Sequence, residues 1–172
     1  MNFCLSAIGE DSHAFLPQGD AKPLVLGGVT IPGMPGLAGN SDADVILHAV
    51  CNALSGLSGK PVLGARADAL CAAGEKDSQA YLELALADLQ TLSRPFHLLH
   101  LSLSVEARRP RIEPYREAIC TRLATLLGLP PDAVCLTATS GEGLSAFGRG
   151  EGIRATAMIS AWRETEAGEA AF

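Results

Sequence analysis

From Leu99 to Glu106 apolar and polar residues alternate without a break: Leu99, Leu101, Leu103 and Val105 are separated by His100, Ser102, Ser104 and Glu106. A period of two sends successive side chains to opposite faces, so this stretch predicts a strand buried on one side. Residues 152–162 obey the same rule through Ile153, Ala155, Ala157, Ile159 and Ala161, and residues 134–139 make a shorter run. Another strand is predicted to end near His13. Between Leu24 and Ile31, two β-prone runs flank Gly27-Gly28, a pair that accepts the positive φ of a tight hairpin turn.

After Ser41 the period becomes helical. Val45, Ile46, Ala49, Val50, Ala53 and Leu54 recur on one side, and Ser41 followed by Asp44 resembles a capping box, predicting a helix over about 42–56. Asp77 caps a second predicted helix that runs to about residue 92. Pro114 at the first position and Gly128 followed by Pro130 bracket a third, ending near Leu127. Residues 57–76, rich in Gly and Ala and without clear periodicity, read as a long loop.

Together these elements predict an α/β chain of the α+β sandwich type: about four strands in a mixed sheet, helices on one face, and a β-hairpin. Its 172 residues suffice for one domain with a sizeable core. That domain is placed at 1–162, and the small, charged residues 163–172 are expected to fray.

Hydrophobic residues make up 48% and charged residues 19%, the balance of a folded globular chain. The net charge is −6 with no basic stripe, which argues against a nucleic-acid partner. No apolar run approaches the ~20 residues of a membrane span, and the N-terminus lacks a signal-peptide pattern, so the expected location is the cytoplasm, away from membranes. Five scattered cysteines, Cys4, Cys51, Cys71, Cys120 and Cys135, fit neither a disulfide framework nor a cysteine metal site. They read as small buried hydrophobes in a reducing compartment.

Asp11-x-His13 closes the first strand, where residues two apart share a face. His48 lies on the first helix in a polar stripe with Asp44 and Asn52 at i−4 and i+4. One carboxylate and two imidazoles suit Zn²⁺ with a fourth position open to a substrate oxygen. Spacing alone leaves another use for them, with Asp11 capping a turn and His48 a half-buried, satisfied histidine. Thr139-Ser140-Gly141-Glu142-Gly143 offers hydroxyls and pliable backbone for phosphate, with Glu142 suited to Mg²⁺. Arg149, among glycines, adds a guanidinium fork, and Arg108, Arg109 and Arg111 cluster at a strand-to-helix corner. Each of these segments serves equally well as an ordinary turn.

In order along the chain, the motifs resemble the 2-C-methyl-D-erythritol 2,4-cyclodiphosphate synthase family. The carrying blocks are Gly9-Glu10-Asp11-Ser12-His13-Ala14-Phe15, Leu26-Gly27-Gly28-Val29-Thr30-Ile31-Pro32 and Ser41-Asp42-Ala43-Asp44-Val45-Ile46-Leu47-His48-Ala49. Arg109-Pro110-Arg111-Ile112-Glu113-Pro114-Tyr115 and Phe147-Gly148-Arg149-Gly150-Glu151-Gly152-Ile153 complete them, and the resemblance covers residues 5–162. It implies a homotrimer with sites between subunits, Zn²⁺ on Asp11, His13 and His48, and Mg²⁺ or Mn²⁺ at the diphosphate through Glu142. It implies catalytic roles for Ser140, Glu142 and Asp44. Contacts to a cytidine diphosphate substrate fall on Asn40, Ser41, Ala107, Arg109, Pro110, Arg111, Thr139, Ser140 and Arg149. The implied reaction is that of a phosphorus–oxygen lyase of non-mevalonate isoprenoid synthesis: CDP-methylerythritol 2-phosphate cyclises and CMP leaves.

The chain departs from the family pattern at several places. Gly39-Asn40 stands where the family has Ala-His, Asn52 replaces an aspartate, residues 58–76 lack the acidic flap, and the segment 137–145 has lost two lysines. These departures motivate a second reading, a trimeric paralogue that keeps the metal and binds a phosphate ligand or a partner.

Overall fold

The alternating run forms β4 (His97–Glu106), and a computed structural model, which describes residues 2–164, sets it between two neighbours. On one side it pairs antiparallel with β6 (Gly152–Glu164), and on the other parallel with β5 (Val134–Thr139). Beyond β6 lies β1 (Asn2–Ala14), antiparallel to it along their whole length, so the mixed sheet has the order β1-β6-β4-β5. The two edge strands are thus the first and the second-last along the chain. Both run in the direction of β4, so their C-terminal ends share one end of the sheet.

One face of this sheet is the core. Leu101, Leu103 and Val105 of β4 lie beside Ile153, Ala155, Ala157 and Ile159 of β6, all buried. The central helix α1 (Val45–Ser58) packs across β1 and β6 and is buried nearly all round, from Val45 to Ser55. Burial of side chains such as Ile46, Leu47 and Leu54 contributes roughly 1.5–3 kcal/mol each. Helix α3 (Ser78–Gln90) packs on α1, and α4 (Arg116–Leu127) covers β5. The opposite face carries Ser6, Ser102, Ser104, Thr156 and Ser160 with the exposed Ile8 and Met158, and among the described residues no helix covers it.

The hairpin forms as read, from β2 (Pro23–Leu26) and β3 (Val29–Pro35), with Gly27 and Gly28 at φ 60° and 76°. Five other expectations need correction. α1 starts at Val45, because Asp44 is itself the cap: its side chain accepts from the Ile46 and Leu47 amides. The stretch read as a loop contains α2 (Ala65–Ala72), eight residues with only Ala67 buried, too short and too weakly apolar to announce itself by periodicity. Pro114 lies in a 3-10 turn (Glu113–Tyr115) just ahead of α4. Of the five cysteines only Cys51 is buried, while Cys4 and Cys135 are exposed. Arg163 and Glu164, placed in the tail on sequence grounds, pair with Phe3 and Asn2 inside the sheet, and 165–172 lie outside the described residues. Among the described residues, no helix is long and apolar enough to cross a membrane.

Candidate active site

Asp11 and His13 point to the helix-covered side of β1, at its C-terminal end. Gly9, two residues earlier on the same side, is what lets α1 lie close: a Cβ there would collide with the Ala49 carbonyl oxygen and the Ala53 amide nitrogen. Asn52 ties the two elements, donating to the Glu10 carbonyl at 3.0 Å. His48, one turn earlier on α1, is thereby delivered to Asp11. Asp11 Oδ2 lies 2.9 Å from His13 Nε2 and 2.9 Å from His48 Nδ1, and the two nitrogens are 3.1 Å apart.

That triangle fits a metal. A tetrahedral ion with bonds of about 2.0–2.2 Å holds its donor atoms ~3.3 Å apart, close to the observed spacing. The surroundings also set the ring states. The Ser78 hydroxyl donates to Asp42 Oδ1 in a short hydrogen bond, so its 2.9 Å contact with His48 Nε2 runs from the ring N–H to the hydroxyl. Nδ1 of His48 therefore turns its lone pair towards the cavity, as a ligand must. The ring of His13 is hydrogen-bonded in turn to the backbone of Ala38. Burial opposes charge on Asp11, yet hydrogen bonds with both histidines outweigh it and hold the carboxyl well below its usual range. Its hydrogen bond with Asp11 raises the pKa of His13, against the effect of burial. Among the described residues, these three form the cluster able to hold a metal ion.

The triad opens into a cavity of about 310 Å³ whose wall includes Asn40, Ser41, Ala67, Asp68, Cys71 and Tyr81. Helix α2, hidden from the sequence reading, supplies three of these residues. Two devices pin it there: Ala67 packs into the core, and Arg66 makes a two-pronged ion pair with Asp88 of α3 at 2.6 and 3.3 Å. A second cavity, of about 630 Å³, lies at the C-terminal ends of β4 and β5 and is lined by Ala107, Arg108, Pro110, Arg111, Arg116 and the 136–140 segment. β1 and β5 are opposite edges of a four-stranded sheet, so the two cavities stand on the order of 14 Å apart in one chain.

Comparison with known proteins agrees with this arrangement. The profile of the YgbB family matches residues 5–161, nearly the whole described chain. The chain belongs to the YgbB family. Curated relatives include proteins named 2-C-methyl-D-erythritol 2,4-cyclodiphosphate synthase. Those from Chlamydia trachomatis serovar L2b (strain UCH-1/proctitis) and Chlamydia muridarum (strain MoPn / Nigg) are each 42% identical over 89% of this chain and 85% of theirs. Among solved structures, a 2C-methyl-D-erythritol-2,4-cyclodiphosphate synthase superposes with a TM-score of 0.76 at 30% identity, over 91% of this chain and 99% of that one. The bifunctional IspDF from Campylobacter jejuni gives 0.81 at 26%, where this YgbB chain corresponds to 44% of the longer protein. A synthase solved in a CDP-bound form gives 0.72 at 27%, covering 91% and 99%.

The site residues expected for a YgbB protein divide by position. Asn40 and Ser41 line the triad's cavity, and Ala107, Pro110, Arg111, Thr139 and Ser140 line the other. Ser140, in the wall of the second cavity, bonds through its Oγ to Glu142 Oε1 at 2.8 Å, and Glu142 itself has φ 48°. Arg109 turns away and lies over the Phe15 ring, 5.5 Å from its centroid, while Arg149 pairs with Glu151 at 2.8 Å. Asp44 does not face the site at all. It is fully buried, and its oxygens accept from the Gly27, Gly28, Ile46 and Leu47 amides, joining the hairpin turn to α1. Its catalytic assignment is corrected to a structural one. Sequence reasoning does not single out Ser78, Arg116, Asp68 or Tyr81 as site residues. Ser78 follows the Asp77 cap and so looked like ordinary helix punctuation; Arg108 belonged to the arginine cluster already noted.

Proposed function

We propose that this YgbB protein is a metal-dependent cyclodiphosphate synthase that closes CDP-methylerythritol 2-phosphate into methylerythritol cyclodiphosphate and releases CMP. The observation that carries the reading is the convergence of Asp11, His13 and His48 within 3.1 Å, in a chain 42% identical to proteins bearing that name. Asp11, His13 and His48 would hold Zn²⁺ and Glu142 would bind Mg²⁺ or Mn²⁺, and the chemistry such ions would supply is charge neutralisation on the diphosphate.

The protein's own contribution is positioning. Ala107, Pro110, Arg108, Arg111 and Arg116 give the second cavity a guanidinium-rich wall for the nucleotide half, and Thr137, Thr139 and Ser140 offer it hydroxyls. An oxygen of the 2-phosphate then bonds to the β-phosphorus, and the bond from that phosphorus to the bridging oxygen breaks, its electron pair leaving with CMP. The nucleophile is already anionic, so no protein base is needed, and alignment with electrostatics supplies the rate.

The active unit is a homotrimer in this reading. Two half-sites on opposite edges of one sheet complete each other only when the β1 side of one subunit meets the β5 side of the next, a head-to-tail contact that closes as a ring. The uncovered sheet face with Ile8 and Met158 gives such a ring something to bury. The cytoplasm is the compartment that fits the substrate. The paralogue reading rests on the departures at Asn40, Asn52, 58–76 and the lysine-free 137–145 segment, but α2 of the rewritten stretch still walls the metal cavity, which favours an enzyme.

Incubating the purified protein with CDP-methylerythritol 2-phosphate, Zn²⁺ and Mg²⁺ tests the proposal. CMP and a cyclic diphosphate are expected by ³¹P NMR, with at least a hundredfold loss in His48→Ala; no CMP from the metal-loaded protein refutes it.

A further inference from the structure

A third cleft, of about 290 Å³, adjoins the metal cavity and shares its Gly39–Ser41 wall; Asp42 and two lysines, Lys22 and Lys76, complete it. The wall is clamped between those lysines. Lys22 Nζ donates to the Gly39 carbonyl at 3.2 Å, and the Lys76 carbonyl accepts from the Asp42 amide at 2.8 Å.

Lys22 is half-buried, yet its ammonium has only that neutral carbonyl as hydrogen-bond partner, and neither lysine forms an ion pair among the described residues. Burial lowers the Lys22 pKa, and the nearby Lys76 charge adds to this while Asp42 and Asp20 oppose it. Asp42 also lines the cleft and its charge offsets part of the lysines', but its oxygens are occupied by the Ser78 hydroxyl and amide and the Asp44 amide, and it makes no ion pair with either lysine among the described residues. Asp20 is occupied by the Lys22 backbone amide at 2.9 Å. Two ammonium groups without a bound carboxylate, at the lip of a metal cavity, make a place for a compact anion. Asn40, which stands in the shared wall, carries an amide that can bond such an anion but brings no charge of its own.

We propose that Lys22 and Lys76 form a phosphate subsite beside the metal centre and position the substrate's phosphate monoester for its attack. This rests on the synthase reading above. The nucleotide is held elsewhere, so the subsite acts on the monoester and not on CDP.

The test compares wild type with Lys22→Gln/Lys76→Gln and Lys22→Arg/Lys76→Arg. In the double Gln variant KM for CDP-methylerythritol 2-phosphate is expected to rise at least tenfold, with zinc content and CDP affinity within twofold of wild type. The Arg pair should recover most of the loss, which a folding defect would not allow. An unchanged KM, or CDP affinity falling in step with it, overturns the proposal. Should wild type release no CMP, the synthase reading fails by itself, and calorimetry with inorganic phosphate decides the subsite. A loss of phosphate affinity of fivefold or more in the Gln pair sustains it, and equal affinities sink it.

Discussion

His48 is preset to serve as a ligand because its far nitrogen is held. Ser78 accepts from Nε2 and donates its own hydroxyl hydrogen bond to Asp42, so the ring has one tautomer and one orientation for receiving a metal. Partners of this kind are worth 10- to 100-fold in metal affinity. Ser78→Ala is therefore expected to weaken Zn²⁺ binding by about that factor in a chelator competition, with the fold intact by circular dichroism; wild-type affinity in the variant would show the hydroxyl to be idle. The protons of the triad make a second prediction. In metal-free protein His13 has a raised pKa, so its contribution is complete below about pH 6.5 and is lost as pH rises through the higher folded value. Asp11 has a lowered pKa, so its contribution is present above about pH 3.9 and is lost only as pH falls towards the lower folded value. Zinc needs neutral imidazoles and runs the other way. The Tm of the stripped protein should fall from pH 6 to 8.5 while the increment produced by added zinc grows, and a flat increment would contradict the assigned ligands.

At the scale of elements, the site depends on how closely α1 approaches β1. Gly9 sits under Ala49 and Ala53, and a methyl group there forces the helix outward. Gly9→Ala is expected to cost about 1–3 kcal/mol, by the rule for overpacked cores, and to lower zinc affinity, measured by urea denaturation and metal titration on one preparation. A stable variant with normal zinc binding would mean that α1 has slack the structure does not show. Helix α2 gives a milder case. Arg66→Ala removes the tie to Asp88, so amide exchange within Ala65–Ala72 should quicken and substrate KM should rise severalfold, while zinc content stays the same.

The whole molecule decides whether there is one site or two halves. With the triad on one edge strand and the arginine-lined cavity on the other, a single chain cannot bring them together without bending its sheet. Light scattering is expected to give three times the 17.8 kDa chain mass. Mixing also tests it: His48→Ala and Arg111→Ala proteins, each inactive, are refolded together in equal amounts. If each site draws on two neighbours, about a quarter of the interfaces pair an intact triad with an intact cavity, and about a quarter of the activity returns. No recovery from a mixture of proven trimers would falsify shared sites.

Much of this was readable from residues alone, for reasons of short range. The period of two in β4 and β6, the Gly27-Gly28 turn and the Asp77 cap are properties of neighbouring side chains, and the sheet and hairpin they predict are present. Asp11 and His13 share a strand face by the same arithmetic. That His48 joins them, 35 residues on from His13, follows from the packing permitted by Gly9; in the sequence, residue chemistry left it open beside a second use and the family resemblance favoured it. Asp44 was misplaced because a buried cap and a catalytic acid look alike in one dimension; four backbone amides distinguish them only after the hairpin folds onto the helix. α2 escaped because eight residues with one buried alanine carry almost no periodic signal, their helix being held by Arg66 and Asp88 across 22 positions. Local periodicity thus determined the elements, and long-range packing decided which side chains meet, because distances between elements are set by what their faces bury.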